Sequence, residues 1–359
     1  MKILILANND VGLYQFRREL IEALAKDNEV SIALPYGKLV EPLKEICTFH
    51  DTPMERRGMN PMKDAKLLLQ YRKLVKKEKP DLVVTYTIKP NIYGGIVSRF
   101  LRKPYAVNIT GLGTVFQKKG AALLLVKLLY KLSLKKAKVI FFENLENMQT
   151  MLSMGLAKEE KCCLLNGAGV NLDTYRPQEY PKTQDVTKFL FVGRVMAEKG
   201  IDELIEATKK LRSEGQLCEL DVVGGLEEDY KQKLEECAGE GWLRYHGYQE
   251  DVKPFIKSCH CFVLPSWHEG MANTNLESAA SARPIIISNI HGCKEAVVDG
   301  ESGLLCEKQN VDSLYEAMKR FIELPTEAKK EMGLRGRAHM EDVFDKNKVV
   351  EETIRHLNL

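Results

Sequence analysis

The chain alternates between two hydrophobic rhythms. Short runs of consecutive apolar residues recur, and between them lie longer stretches whose apolar positions repeat at helical spacing. In the first half the runs are KILILAN, EVSIAL, CTFH, LVVTYT, YAVNIT, KVIFFE and CCLLN. In the second they are KFLFVGR, CELDVVG, LRYHGY, CHCFVLP, PIIIS and GLLCE. Such runs predict strands buried on both faces, as in parallel sheets. Stretches such as QFRRELIEALAKD, IDELIEATKKLRSE and VDSLYEAMKRFIEL predict the amphipathic helices that cover them. The polar stretch 171–188, with two prolines and no apolar periodicity, predicts an interdomain linker. The expected fold is α/β: two Rossmann-like domains, 1–170 and 171–340, with parallel sheets facing a central cleft, then a C-terminal helix over 341–359.

Composition changes this picture little. At 359 residues the chain exceeds the ~250–300 residues of a single core. No apolar run approaches the ~20 residues of a membrane span, and the opening MKILILANND reads as a buried first strand, not a secretion signal. Nine cysteines without a C-x-x-C pair read as buried free thiols, which fits a reducing cytoplasm. Charge adds more. Residues 1–170 hold 28 Lys+Arg against 16 Asp+Glu, whereas 171–359 hold 25 against 34. The first half is therefore expected to face something anionic.

In parallel sheets ligands bind beyond the carboxyl ends of the strands, which selects residues. GRVMAEKG (193–200) places Arg194 and Lys199 in the turn after a strand that ends at Gly193. A guanidinium fork plus an ammonium suits a diphosphate; the alternative is a pair of solvated loop charges. In SWHEGMANTNLESAA (266–280) two glutamates stand eight positions apart. That spacing turns a helix about 80° past whole turns, so Glu269 and Glu277 cannot share one helical face. The spacing predicts a loop bearing Glu269 and a helix from about Ala272–Thr274 bearing Glu277. Amides of residues 270–275, among them Gly270, Met271 and Asn273, would then face an anion. Carboxylates beside a phosphate would bind hydroxyls; the alternative is that each is a helix-start carboxylate favoured by the macrodipole. Together these residues describe a nucleotide diphosphate sugar.

In the first half, Gly12 follows the first strand where a donor or acceptor could approach the backbone closely. The G-x-G-x-x-G fingerprint of dinucleotide enzymes is absent. TYTIKPNIYGG offers Lys89 and Asn91 at a strand end, and NITGLGTVF offers Asn108 and Thr110; both read either as ligand-facing loops or as loops with no ligand. The stretch 117–138 carries Lys127, Lys131, Lys135 and Lys138 at helical spacing among leucines. It reads either as a helix lying on an anionic membrane surface or as a core helix with a solvated lysine stripe. Charge without a stacking-aromatic pattern argues against nucleic acid.

GRVMAEKG, then PSWHEGMANTNLESAA and DGESGLL in that order, with NGAGVNLDTYRP ahead of them, resembles the retaining glycosyltransferase family 4 of the GT-B fold. The resemblance implies that Arg194 and Lys199 hold the donor diphosphate and stabilise the leaving group. It implies that Glu277 binds the ribose hydroxyls and that Glu269 supports an oxocarbenium-like transition state. A donor phosphate oxygen would take the acceptor proton on the same face, with no enzyme nucleophile. The resemblance also implies a UDP-sugar as donor, acceptor-side loops at Lys89, Asn91, Asn108 and Thr110, and a C-terminal helix that packs back onto the first domain. The lysine-bearing stretch 117–138 and the basic first half lead to the expectation of a cytoplasmic enzyme peripheral on the membrane, acting on a lipid diphosphate-linked saccharide. The chain has no D-x-D, which agrees with a transferase needing neither metal nor other cofactor. A nucleotide-sugar epimerase of similar build is the rival.

Overall fold

The computed structural model describes residues 1–55, 58, 60–117, 120–182 and 186–358. Each apolar run carries a strand. The chain divides into two compact units: Met1–Ala168 together with the residues from Lys346 on, and Gly169–Asp345.

The first unit is built on seven parallel strands: β1 (Lys2–Leu6), β2 (Glu29–Leu34), β3 (Thr48–Asp51), β4 (Leu82–Tyr86), β5 (Tyr105–Ile109), β6 (Ile140–Phe142) and β7 (Cys162–Leu164). Their order is β3-β2-β1-β4-β5-β6-β7, so the winding reverses between β1 and β4. Alternate residues of β1 enter opposite cores, as the period of a strand requires. Ile3 and Ile5 pack with Ile21 and Val349 on one face, and Leu4 and Leu6 with Tyr71 and Ile96 on the other.

The second unit has six parallel strands: β8 (Thr187–Val192), β9 (Cys218–Val223), β10 (Leu243–Tyr245), β11 (Cys261–Leu264), β12 (Ile285–Ser288) and β13 (Leu304–Cys306). Their order is β10-β9-β8-β11-β12-β13, which puts the reversal between β8 and β11. That crevice, beyond the carboxyl ends of β8 and β11, is where a ligand is expected in this unit. All nine cysteines are free thiols, and all but the half-buried Cys47 and Cys162 are buried.

Two boundaries differ from the sequence reading. The stretch 171–188 is fastened to the second unit and does not hang between units, although Thr183, Gln184 and Asp185 lie outside the described residues. Arg283, fully buried, donates to the carbonyls of Gln178 (3.1 Å) and Glu179 (2.7 Å) as well as Ile256 and Lys257. Arg337 likewise donates to the carbonyls of Tyr175 (2.7 Å) and Ala280 (2.9 Å). Backbone that looks like a linker by composition is held by two arginines that no local pattern connects to it. The C-terminal helix begins at Lys346, not at 341. Residues 341–343 end the helix Thr326–Val343, whose Met332 and Met340 enter the second core, and Asp345 pairs with Val170. The helix Lys346–Leu357 packs on the first unit through Val349 and Leu357; Leu359 lies outside the described residues.

Candidate active site

In the second unit the ends of β8, β9 and β11 meet backbone against backbone. Gly224 has φ +148, and a Cβ there would lie 1.7 Å from the Gly193 carbonyl oxygen, so the strand ends close only around glycine. Gly193 itself has room for a Cβ and serves as the partner of that approach. The chain then makes a 3-10 turn over Ala197–Lys199 and enters the helix Ile201–Ser213 through Gly200 at φ +73. A Cβ on Gly200 would sit 2.1 Å from the Pro265 carbonyl oxygen, so this turn lies directly against the end of β11.

That contact brings together two residues distant in sequence. Lys199 donates to a carboxylate oxygen of Glu269, and the Ser266 hydroxyl donates to the same oxygen at 2.7 Å. The two charged side chains are only 15% and 10% exposed, so the pair is screened from bulk water and its interaction exceeds that of a surface salt bridge. Arg194 is exposed and has no ion pair among the described residues, leaving its guanidinium open to solvent. Trp267, which the sequence reading passed over, fixes the spacing of the two loops. Its amide donates to the Glu198 carbonyl (2.9 Å) and its indole N–H to a Glu203 carboxylate oxygen (2.9 Å). A tryptophan next to the glutamate loop was the available signal.

Glu269 lies in the loop and Glu277 on the helix Asn273–Ala280, as the eight-residue spacing required. The amides between them are less free than expected. Ala272 donates its amide to the Gly292 carbonyl at 2.8 Å, and Asn275 donates to Ala272 at 3.0 Å. The loop is backed so closely by Gly292, at φ +86, that a Cβ there would lie 2.5 Å from the Gly270 carbonyl oxygen. Met271 is buried in the second core, so its side chain anchors the loop. At the start of the helix, Ala272 supplies no side-chain cap to the first turn. The Asn273 carboxamide oxygen is buried without a hydrogen-bond partner among the described residues. Glu277 is half-buried and accepts from the Tyr175 hydroxyl; burial and then the Glu277 charge push that phenol well above its usual range. Tyr175 belongs to the NLDTYRP segment and was not singled out from the sequence. The Arg337 bond to its carbonyl fixes it beside the helix.

The first unit disposes its selected residues differently. Gly12 lies in the first turn of the helix Asp10–Ala25, and its amide donates to the Asn9 side chain at 2.7 Å, so that donor is already used by the N-cap. Asn91 and Asn108 are buried and bind the sheet. Asn91 accepts from the Thr85 hydroxyl (2.8 Å) and donates to the Asn108 carbonyl (2.8 Å), while Asn108 donates to the Thr85 carbonyl (3.2 Å). These amides tie β4 to β5 and are not presented to an acceptor, which corrects the reading of both residues. Lys89 pairs with Asp64 at 2.8 Å, with both side chains 11% exposed, and Thr110 is half-buried just after β5. Beside them Thr87 holds φ +71, a left-handed conformation costly for a β-branched residue, and a π-turn follows over Pro90–Gly94. Strain of this kind gathers at functional loops.

The fold and sequence have known relatives. Residues 175–339 match the model for Glycosyl transferases group 1, and residues 2–144 match the model for Glycosyl transferase 4-like. The chain belongs to the family 4 glycosyltransferases of the GT-B fold. Its relatives include an N,N'-diacetylbacillosaminyl-diphospho-undecaprenol alpha-1,3-N-acetylgalactosaminyltransferase of Campylobacter jejuni, 27% identical over 341 residues and 90% of each chain. The capsular polysaccharide biosynthesis glycosyltransferase CapM of Staphylococcus aureus is 28% identical over 354 residues, 93% of this chain and 91% of CapM. Among solved structures, Anabaena HepE in complex with UDP and glucose superposes with a TM-score of 0.82 at 17% identity, covering 100% of this chain and 99% of HepE. The relatives named here are transferases, which leaves the epimerase reading without support. In this glycosyltransferase the Lys199–Glu269 pair sits at the winding reversal of the second sheet.

Proposed function

We propose that this glycosyltransferase moves a hexose or N-acetylhexosamine from a UDP-sugar to a saccharide carried on a lipid diphosphate, with retention at the anomeric carbon. The observation that carries the reading is the Lys199–Glu269 pair beyond β8 and β11, flanked by the open guanidinium of Arg194. Arg194 and Lys199 bind the donor diphosphate, whose charge grows as the bond from the anomeric carbon to its leaving oxygen breaks. The acceptor hydroxyl oxygen forms the new bond on the same face, and its proton passes to a phosphate oxygen of the departing UDP. Glu269 balances the positive charge on the sugar ring, and Glu277, oriented by Tyr175, accepts from the ribose hydroxyls. No metal ion or other cofactor enters this scheme. The relatives that act on diphospho-undecaprenol-linked saccharides supply the acceptor class.

A panel of nucleotide sugars tests the donor half. UDP-sugars are expected to raise the thermal transition, and Glu277→Gln is expected to weaken that response about tenfold, the worth of one hydrogen bond to a charged group. Indifference to every UDP-sugar would overturn the donor assignment, and donor turnover that needs no acceptor would overturn transfer.

The same enzyme is proposed to work on the cytoplasmic face of a membrane, at an anionic lipid surface. The helix of the 117–138 stretch runs Ala121–Leu134, and Leu124, Leu125, Leu128 and Leu132 on it are exposed. Phe100, 79% exposed, belongs to the neighbouring helix Gly95–Phe100, and Arg99 of that helix donates to the Leu132 carbonyl at 2.8 Å. Lys131 and Lys135 are exposed around this patch, and Lys127 is half-buried. Lys138 is not part of the stripe: it lies past the helix end and donates to the Leu357 carbonyl, while Lys118 and Lys119 lie outside the described residues. Among the described residues no helix is long and apolar enough to cross a membrane, so the patch would lie on the surface. Flotation with phosphatidylglycerol vesicles is expected to carry the protein upward, and the K127E/K131E/K135E variant to leave it behind. Equal flotation of both proteins, or none of either, would refute the lipid contact.

A further inference from the structure

We propose that Cys163, Glu352 and His356 form a zinc site that clamps the C-terminal helix to the edge of the first sheet. Cys163 lies in β7, the edge strand, and its side chain is buried. Glu352 and His356 stand one turn apart on the helix Lys346–Leu357, the i,i+4 spacing that brings two side chains to one face. A sulfur, a carboxylate oxygen and an imidazole nitrogen, one from each residue, all lie within 4.8 Å of one another. This constellation joins segments nearly two hundred positions apart and takes no part in the transfer chemistry proposed above.

The surroundings hold the three groups in place. Val349 and Leu357 of the helix share a core with Cys163, and the His356 ring meets Phe141 edge-on with centroids 6.3 Å apart. His356 Nδ1 lies 3.0 Å from the Glu352 carbonyl oxygen. A proton on Nδ1 donates to that carbonyl and leaves the lone pair on Nε2, the kind of outer contact that orients a metal-bound imidazole. Arg355 donates to Glu352 at 3.1 Å but is well exposed, so a cation can replace this weak surface partner.

Ligand chemistry selects the metal. Thiolate, imidazole and carboxylate form a borderline set suited to zinc, whereas magnesium and calcium demand oxygen. Three protein ligands leave a fourth position for water. Binding releases the thiol proton to solvent, and the metal takes the thiolate lone pair.

The test titrates the whole protein with Co²⁺ and then Zn²⁺. The expected result is a thiolate-to-cobalt charge-transfer band that saturates at one equivalent, disappears on adding zinc, and is absent from Cys163→Ser. Glu352→Gln and His356→Ala, which change half-buried side chains, should keep the wild-type circular dichroism and weaken metal binding about tenfold or more. Zinc should raise the thermal transition of the wild type and not that of Cys163→Ser. No charge-transfer band in the wild type, a band that survives in Cys163→Ser, or unchanged affinity in the two helix variants would each overturn the site.

Discussion

Replacing Lys199 by methionine is expected to lower kcat/KM for the donor by about 10²–10³-fold, the usual loss when one preorganised group that stabilises developing charge is removed. Two effects are combined in that number. The first, under the chemistry proposed above, is the missing ammonium beside the leaving diphosphate. The second is Glu269, only 10% exposed, which loses the Lys199 charge. Breaking a buried pair from one side costs ~3–5 kcal/mol, and the residual exposure of this pair places it at or below the lower end. The double variant Lys199→Met/Glu269→Gln separates them. It should regain most of the lost stability in urea melts, because the buried carboxylate is neutralised, while affinity for UDP, which Glu269 is not proposed to hold, stays low. If UDP affinity returned with stability, the pair would be structural and Lys199 would not hold the diphosphate.

Gly200→Ala is the second large effect. At φ +73 an alanine costs ~1–2 kcal/mol in backbone energy alone. The added Cβ would also lie 2.1 Å from the Pro265 carbonyl oxygen, a backbone atom that cannot swing aside. Overpacking of this kind adds ~1–3 kcal/mol, so a total of about 2–5 kcal/mol is expected in the unfolding of the second unit. The displacement falls between Lys199 and Ser266, which both donate to Glu269. Donor affinity should therefore fall even in protein that remains folded, as isothermal titration with UDP would show. An alanine variant with unchanged stability and UDP affinity would mean that the turn does not rest on β11 as described.

The central strands were legible because parallel sheets bury both faces, so runs such as those of β1, β11 and β12 need no alternation to be seen, whereas β3 and β10 at the sheet edges are half exposed. The separation of Glu269 and Glu277 into loop and helix was legible for a geometric reason, since eight residues do not return to one face. What escaped the sequence was set by partners far along the chain. Lys199 and Glu269 pair because β8 and β11 are neighbours in the sheet, an adjacency that neither segment encodes. Tyr175 reaches Glu277 from a segment whose backbone Arg337 holds. Asn91 and Asn108 looked available because both are polar residues at strand ends. Their burial depends on the mutual bonds with Thr85, and a carboxamide satisfied by sheet backbone reads the same in sequence as one awaiting a ligand. The stretch 171–188 looked like a linker by composition, yet the charge that fastens it, Arg283, lies about a hundred residues later.

The helix Lys346–Leu357 makes the first unit discontinuous: its sheet is complete by Leu164, but Val349 and Leu357 come only after the whole second unit. Chains emerge from the ribosome at ~5–20 residues per second, and domains tend to fold in the order they appear. Here that order is broken. The first sheet leaves the exit tunnel with part of its apolar face bare and stays so while 177 residues of the second unit are made. The second unit, continuous in sequence, can close before the first is finished. For those seconds of synthesis Phe141 and Cys163 lack the helix that later packs beside them, leaving apolar surface as a target for chaperones that the finished protein no longer offers.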